Sequence, residues 1–353
     1  LITLLQNLLR KSLSPLTGRR LLTCPFCHTS FKLKLGISGN RLLCADCKEE
    51  LPGSVADYRD GLRPVTLAVL GAKESGKSNF IAVLVEWIKQ STTEFEWCIW
   101  GMNDDTVDRY REDFYKSIFE EKRPVDFTLS GTTHSKTNRP LLFALSLKRQ
   151  GWRPPRMIFL TFYDAAGEDL RATSTMAKVN RYIAGCRGII YLMDPLQLPA
   201  ARDLVDTSTR LPSRNANVED TISKIANFIK SVKNLPGDQI PIPFAAAFTK
   251  MDVLLPYLPP DTALRHASKH TGGFHQADFD DVHGEMRALL HEWNAHAVTT
   301  QVERRFPTHG YFGISALGCN PGPGDPIREV KPIRILDPLI WHLSLHGFLP
   351  TRE

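Results

Sequence analysis

The 353-residue chain predicts an α/β fold, a mostly parallel sheet with one antiparallel hairpin and helical insertions around a phosphate-binding loop, preceded by a small metal-bound ribbon. Three observations predict it. Gly71-Ala72-Lys73-Glu74-Ser75-Gly76-Lys77-Ser78 fits G-x-x-x-x-G-K-[ST] and stands between an apolar run and a helix-like run. Thr249-Lys250-Met251-Asp252 follows another apolar run far downstream. Cys24-Pro25-Phe26-Cys27 and Cys44-Ala45-Asp46-Cys47 form two C-x-x-C pairs separated by 16 residues.

Thr66 to Leu70, bounded by Pro64 and Gly71, reads as a strand, and Ser78 to Ile88 has the apolar spacing of a buried helix. Strand, glycine loop and helix start make an anion site. Loop amides face phosphate oxygens, the helix dipole favours negative charge, Lys77 reaches the outer phosphates and the Ser78 hydroxyl meets a metal. The plain alternative is a glycine-containing turn that matches by chance, and the flanking elements weigh against it.

The loop alone does not separate GTP from ATP. Met157 to Tyr163 reads as a second strand and ends in Asp164-Ala165-Ala166-Gly167-Glu168, of the form D-x-x-G. There a carboxylate at the strand end holds magnesium, and Gly167 lets its amide approach the γ-phosphate. Leu141 to Arg149 is a strand joined to the previous one through Gln150 to Arg156, too short for a crossover helix, so the two form an antiparallel hairpin. Gly188 to Asp194 reads as the next buried strand and Thr221 to Val232 as a helix. Phe244 to Phe248 is a small-residue strand ending at the sheet edge where open α/β sheets bind ligands.

Thr249 to Asp252 follows that strand, and Ser315-Ala316-Leu317 follows the strand-like Tyr311 to Ile314. Guanine presents two adjacent donors, N1 and the exocyclic amine, to a carboxylate such as Asp252, whereas adenine does not. A site of this kind discriminates by about 10⁴-fold.

These four motifs, in this order, resemble those of the translation-factor-like class of P-loop NTPases, which includes the small Ras-like GTPases. The resemblance implies that Gly71, Lys73, Ser75, Gly76, Lys77, Ser78 and Asn79 hold the phosphates and that Asp164 and Gly167 form a switch. It further implies that Thr249, Lys250, Asp252, Ser315, Ala316 and Leu317 enclose guanine. Lys250 would lie over the nucleotide and tie this loop to the phosphate loop, while the Ala316 amide meets the guanine oxygen. The implied cofactors are GTP or GDP and Mg²⁺, the latter held by Ser78, Asp164 and a first-switch threonine.

Lys77, Thr133 and Glu168 form the expected catalytic set. Family members often carry glutamine directly after D-x-x-G to orient water, whereas Glu168 would bring a negative charge near the γ-phosphate. Thr132, Thr133 and Thr137 all precede the hairpin, and Thr133 is favoured for magnesium although spacing does not choose. Arg139 and Arg171 are candidate charge-neutralising groups, against the commoner case of solvated loop arginines.

The cysteine pairs have the spacing of a zinc ribbon in which Cys24, Cys27, Cys44 and Cys47 close a tetrahedral structural site. So short a segment has little core of its own, and metal binding supplies its fold. Redox pairs are the rival reading, and His28 is a spare ligand. Cys98, Cys186 and Cys319 are scattered, which argues for a reducing compartment and a cytoplasmic location rather than a disulfide framework. Residues 1–53 hold eight Lys/Arg against three acids, +5 of the total +6, so contact with nucleic acid, a membrane surface or an acidic protein stands beside an ordinary solvated face. Leu1 to Leu9, with Arg10 and Lys11, resembles the end of an amphipathic helix too short to span a bilayer, and an upstream membrane segment stays open.

The expected organisation is a basic segment over 1–20, a ribbon over 21–53 and a GTPase domain over 62–353 with insertions around 92–130 and 253–280. Val107, Tyr110, Phe114 and Ile118 recur at helical spacing within the first insertion. His266 and His270 would share a helix face and, with His275, read as solvated rather than as metal ligands. Asp337 to Leu349 reads as a terminal helix covering the sheet. The whole looks like the bacterial double-GTPase-like proteins of multi-gene conflict and defence systems, which implies protein partners. Three functions follow: a GTP-hydrolysing switch, a GTP-sensing scaffold with little turnover, and a basic-ribbon nucleic-acid binder regulated by GTP.

Overall fold

The computed structural model describes residues 21–24, 29–32, 44–46, 48, 65–71, 74–125, 140–148, 156–162, 185–206, 211–212, 218–322 and 325–353. The chain divides into two units, Leu1–Arg63 and Pro64–Glu353. In the first, β1 (Leu21–Thr23) and β2 (Ser30–Lys32) pair antiparallel, Leu21 opposite Lys32.

The second unit is built on a seven-stranded sheet of β3 (Val65–Gly71), β4 (Trp97–Gly101), β5 (Leu141–Leu147), β6 (Arg156–Phe162), β7 (Gly188–Met193), β8 (Phe244–Phe248) and β10 (His309–Gly313). Their order is β10-β8-β7-β3-β6-β5-β4. The five strands from β10 to β6 run parallel, and β5 pairs antiparallel with β6, Leu141 opposite Phe162, as the expected hairpin. β7 and β8 are buried along their whole length, as parallel strands covered on both faces require. Their residues alternate sides: Ile190 and Leu192 join the core beneath α1 (Lys77–Gln90), while Ile189, Tyr191 and Met193 join that beneath α5 (Val218–Lys233), α7 (Gln276–Glu292) and α8 (His296–Arg305).

The first insertion adds α2 (Thr92–Phe95), then β4 as an antiparallel edge strand on β5, Trp97 opposite Leu147, which the sequence reading does not include. The expected helix follows as α3 (Asp104–Arg109), continuing without a break into a π-helix, Tyr110–Glu120. Tyr110, Phe114 and Ile118 are buried as expected, but Val107 is 48% exposed. The inward stripe belongs to the wider π-helical turn, and Val107 lies before it with its side chain against Gly101. The Tyr110 hydroxyl lies 2.9 Å from the Ala82 carbonyl and 3.0 Å from Glu86 Oε1, and Trp97 Nε1 donates to the Ile88 carbonyl at 2.8 Å, so the insertion is pinned to α1.

β8 leads into α6 (Met251–Leu254), and 251–275 contains no helix shared by His266 and His270. Pro259 and the turns around Thr262 break the run. His266 is exposed, whereas His270 is buried, its Nδ1 accepting from the His275 amide, and His275 caps α7 by accepting from the Asp278 amide. The terminal helix is α9 (Asp337–Leu345), shorter than expected, because the chain then turns into β11 (Thr351–Arg352) alongside β9 (Phe274–His275). α4 (Pro199–Arg202) is a single turn after β7. Among the described residues no helix is long and apolar enough to cross a membrane.

Candidate nucleotide-binding site

Gly71 ends β3, and a Cβ there would lie 2.5 Å from Ser75 Oγ and 3.3 Å from Leu192 Cβ, so only glycine lets the loop fold back over the strand end. Gly76 has φ 76° with open space around it, so the left-handed backbone is what calls for glycine. Glu74 holds φ 63° without being glycine, a strain of about 1 kcal/mol or more. α1 begins at Lys77, whose side chain is buried, and the Phe80 amide closes the first turn onto the Gly76 carbonyl at 2.9 Å. Ser75 is buried and its hydroxyl has no hydrogen-bond partner among the described residues.

The base motifs meet at the carboxyl ends of β8 and β10. The Thr249 amide donates to the Met193 carbonyl at 2.8 Å, the Ile314 amide to Phe248 at 2.8 Å and the Met251 amide to Ile314 at 3.1 Å, which laces both loops to the sheet edge. Asp252 Oδ1 accepts from the Ser315 hydroxyl at 2.5 Å, and Ser315 Oγ accepts from the Gly318 amide at 2.9 Å. Burial pushes the Asp252 carboxyl above its ordinary value, against the Ser315 hydrogen bond and the charge of Lys250, with Asp194 adding to the rise. Burial thus makes the ionised form of this carboxyl costly at the edge of the sheet.

The Thr249 hydroxyl joins this loop to the phosphate loop, 2.8 Å from the Ser75 carbonyl and 3.1 Å from that of Met193. Among the described residues the Lys250 ammonium meets Asp194 Oδ2 at 2.5 Å, on a residue with φ 55°. Asp194 is fully buried, and burial raises its carboxyl despite Lys250 and the Leu196 amide that bonds its other oxygen at 2.9 Å. The sequence reading placed Asp194 on the strand and gave it no role. Its signal was a carboxylate closing an apolar run at the ligand-binding edge of the sheet.

A cleft of about 270 Å³ brings the two halves together: Gly76 and Asn79 at one end, Thr249, Lys250, Asp252, Ser315, Ala316 and Leu317 at the other. Two further walls escaped the sequence. Arg123, Pro124 and Val125, following the π-helix, form one, and Cys319 to Gly322 with Asp325 form the other. Both are fastened: the Val125 amide donates to Asn79 Oδ1 at 2.8 Å, and the Ile327 amide to the Lys122 carbonyl at 2.6 Å.

A family model described as Double-GTPase 2 matches residues 65–300, more than half of the chain. The chain belongs to the Double-GTPase 2 family. Membership carries the P-loop GTPase fold and guanine-nucleotide binding. "Putative ESX-1 scaffolding and assembly protein SaeC" of Mycolicibacterium smegmatis is 26% identical over 328 residues, 87% of this chain and 80% of that protein. Among solved structures, the signal recognition particle receptor SRb-GTP/SRX complex of Chaetomium thermophilum aligns over 73% of this chain and 94% of that one at 12% identity, TM-score 0.32. The S. cerevisiae Ski7 GTPase-like domain bound to GTP aligns over 84% and 53% at 13% identity, TM-score 0.38. Both TM-scores are low, and the family match carries the assignment.

The Double-GTPase 2 match stops short of Ser315 to Leu317, so the cleft is lined in part by residues beyond the matched region. Lys73, Thr133, Asp164, Gly167 and Glu168 lie outside the described residues, as do Arg139, Arg171, Cys27, His28 and Cys47. Of the magnesium set only Ser78 is described, on the first turn of α1. In the first unit Cys24 and Cys44 are both buried, the Cys24 amide donates to the Thr29 carbonyl and the Lys48 amide to that of Cys44, both at 3.1 Å. Of the scattered cysteines, Cys98 is exposed, Cys186 is buried with its thiol pushed up to about 12 by desolvation, and Cys319 lines the cleft.

Proposed function

We propose that this domain is a Mg²⁺-dependent GTP-hydrolysing switch that acts with protein partners in a multi-component assembly. The observation that carries it is the convergence of the α1 start and the Thr249–Asp252 and Ser315–Leu317 loops on one cleft, with the Thr249 hydroxyl against the Ser75 carbonyl. In this reading Lys77 and the amides around Gly76 hold the phosphates, Asp252 reads the guanine edge, and Ser78, Thr133 and Asp164 hold magnesium, which neutralises phosphate charge. Glu168 is the candidate for orienting water.

A second reading has one observation in its favour: the SaeC relative carries a scaffolding and assembly name. In it GTP is sensed with little turnover, as a glutamate beside the γ-phosphate would allow. The four cysteines are proposed as a structural zinc site, which the burial of Cys24 and Cys44 supports. The basic stretch 1–53 is proposed as a contact for an acidic protein, a nucleic acid or a membrane surface.

The test is calorimetric titration of GTP and ATP with Mg²⁺, followed by phosphate release. Wild type is expected to prefer GTP, and Lys77→Ala to weaken it at least about tenfold by loss of a charge-assisted contact. Equal affinity for ATP ends the guanine reading. Tight GTP binding without phosphate release selects the scaffold.

A further inference from the structure

Away from the cleft, the most heavily charged buried site among the described residues is a knot around Arg334. Its Nη1 meets Asp278 Oδ2 and Asp337 Oδ2, both at 2.8 Å, its Nη2 meets Asp278 Oδ1 at 2.9 Å, and all three residues are buried. His270, Asp278 and Asp337 present ligand atoms within 4.8 Å of one another. The guanidinium already takes three of the four carboxylate oxygens, so it stands where a cation would, and the cluster is not a metal centre. Burial alone would raise the Asp278 carboxyl, but the hydrogen bonds and charge of Arg334 outweigh it and hold it below the ordinary value.

Three buried charges cost desolvation that a greasy cluster would not, and such groups are best explained by what they specify. Arg334 itself adopts φ 48°, a strained conformation that needs support. The segment just before it runs along the guanine loop. The Ser315 amide donates to the Ile333 carbonyl and the Ile333 amide to that of Ser315, each at 2.9 Å, and the Lys331 amide donates to Leu317 at 3.0 Å. The approach leaves no room for a side chain at Gly318, whose Cβ would lie 2.0 Å from the Lys331 carbonyl oxygen. Ser315 in turn hydrogen-bonds Asp252.

The geometry points to Arg334 as a positioning residue for base selectivity: the ion-paired knot fixes residues 331–333, these fix Ser315, and Ser315 fixes the carboxylate of Asp252 against the guanine edge. This rests on the cleft being a guanine site. None of the knot residues lines the cleft, so the effect passes through the bonds of residues 331–333 to Ser315 and Leu317, the Ile333–Ser315 bridge being the one that reaches Asp252.

The full chain is titrated with GDP and with IDP, which lacks only the exocyclic amine that Asp252 would accept from. Wild type is expected to favour GDP about tenfold or more, the value of one matched buried contact. Arg334→Met, which strands two buried carboxylates, is expected to bring that ratio to within about threefold of unity. Asp337→Asn keeps the shape and one acceptor, is the variant that survives if Arg334→Met does not fold, and is expected to lower the ratio by about two- to threefold. Leu290→Ala, in the opposite core, is the control: it should lower the melting temperature and leave the ratio unchanged. A wild-type ratio near unity overturns the guanine reading itself. A ratio that persists in a melted-down but folded Arg334→Met or Asp337→Asn, or one that falls equally in Leu290→Ala, overturns the positioning role.

Discussion

Asp252→Asn tests base recognition with two effects of opposite sign. The carboxylate is buried and destabilised, chiefly by desolvation and further by Asp194, while Ser315 and Lys250 only partly compensate. The amide keeps an acceptor for the Ser315 hydroxyl and removes the costly charge, so the melting temperature of the nucleotide-free protein is expected to rise. Bound GDP fares the other way. An amide offers one acceptor and one donor to two guanine donors, leaving two unmatched groups at about 1–3 kcal/mol each, or about 30-fold to 10⁴-fold weaker binding. Xanthosine diphosphate, with an oxygen in place of the amine, matches the amide and is expected to become the preferred ligand. Calorimetry with GDP, XDP and ADP, together with thermal melts, reads both effects. The pH sense follows from the raised carboxyl: the folded empty state holds its proton more tightly than the unfolded chain, so its stability falls as pH rises from the unfolded value of about 3.9 through the raised one. GDP affinity needs the ionised form and is lost as pH falls through the same raised value. An unchanged GDP preference in the variant would remove Asp252 from the pocket, and a lower melting temperature would refute the claim that its charge is costly.

Two further outcomes are expected. Asn79→Ala removes the acceptor that fastens Val125, so radiolabelled GDP should leave about three- to tenfold faster with little change in association, and an unaltered off-rate would show that the Arg123–Val125 wall does not retain nucleotide. His342 is buried, hydrogen-bonded to the Ile189 carbonyl at 3.0 Å, and desolvation depresses it to about 3. Its folded value lies below the unfolded one, so it contributes stability present above about pH 6.5 and lost as pH falls toward 3, at most about 1.4 kcal/mol per pH unit. Urea unfolding from pH 4 to 8 should show a flatter slope in His342→Gln, and an equal slope would locate the dependence elsewhere.

What the sequence made legible was whatever repeats a period or spends a glycine. The strand before the phosphate loop, the helix after it and the small-residue strand Phe244–Phe248 declare themselves because buried parallel strands read as unbroken apolar runs. The base motifs were placed because each follows such a run. The extra strand β4 was missed since Trp-Cys-Ile-Trp-Gly is five residues with an exposed Trp100, ambiguous by periodicity alone. Val107 was misplaced for a related reason: a 3.6-residue period does not describe a chain that changes to π-helical hydrogen bonding at Tyr110. The walls of the cleft were invisible because their identity comes from tertiary hydrogen bonds, Val125 to Asn79 and Ile327 to Lys122, between segments with no motif of their own. His270 shows the limit for charge: its neighbours Asp278, Arg334 and Asp337 are brought together by folding, and composition near position 270 gave no sign of them.

In the proposed reading the cleft combines two separable tasks, phosphate binding and base binding, and Thr249 is where they join. Its single hydroxyl proton is shared between the Ser75 and Met193 carbonyls, one from the phosphate loop and one from the end of β7, just before Asp194. Thr249→Val keeps the shape and strands the Ser75 carbonyl, at a cost of about 1–3 kcal/mol, while the Met193 carbonyl keeps the Thr249 amide. If the hydroxyl holds the phosphate loop in register with the base loop, GDP and IDP should weaken by the same factor, since neither the Asp252 carboxylate nor its Ser315 partner has been touched. Their ratio should stay at the wild-type value, in contrast to Asp252→Asn and Arg334→Met, where the ratio itself moves. A selective loss of GDP in Thr249→Val would mean that the phosphate loop helps to aim Asp252, and the division between a phosphate end and a base end would have to be abandoned.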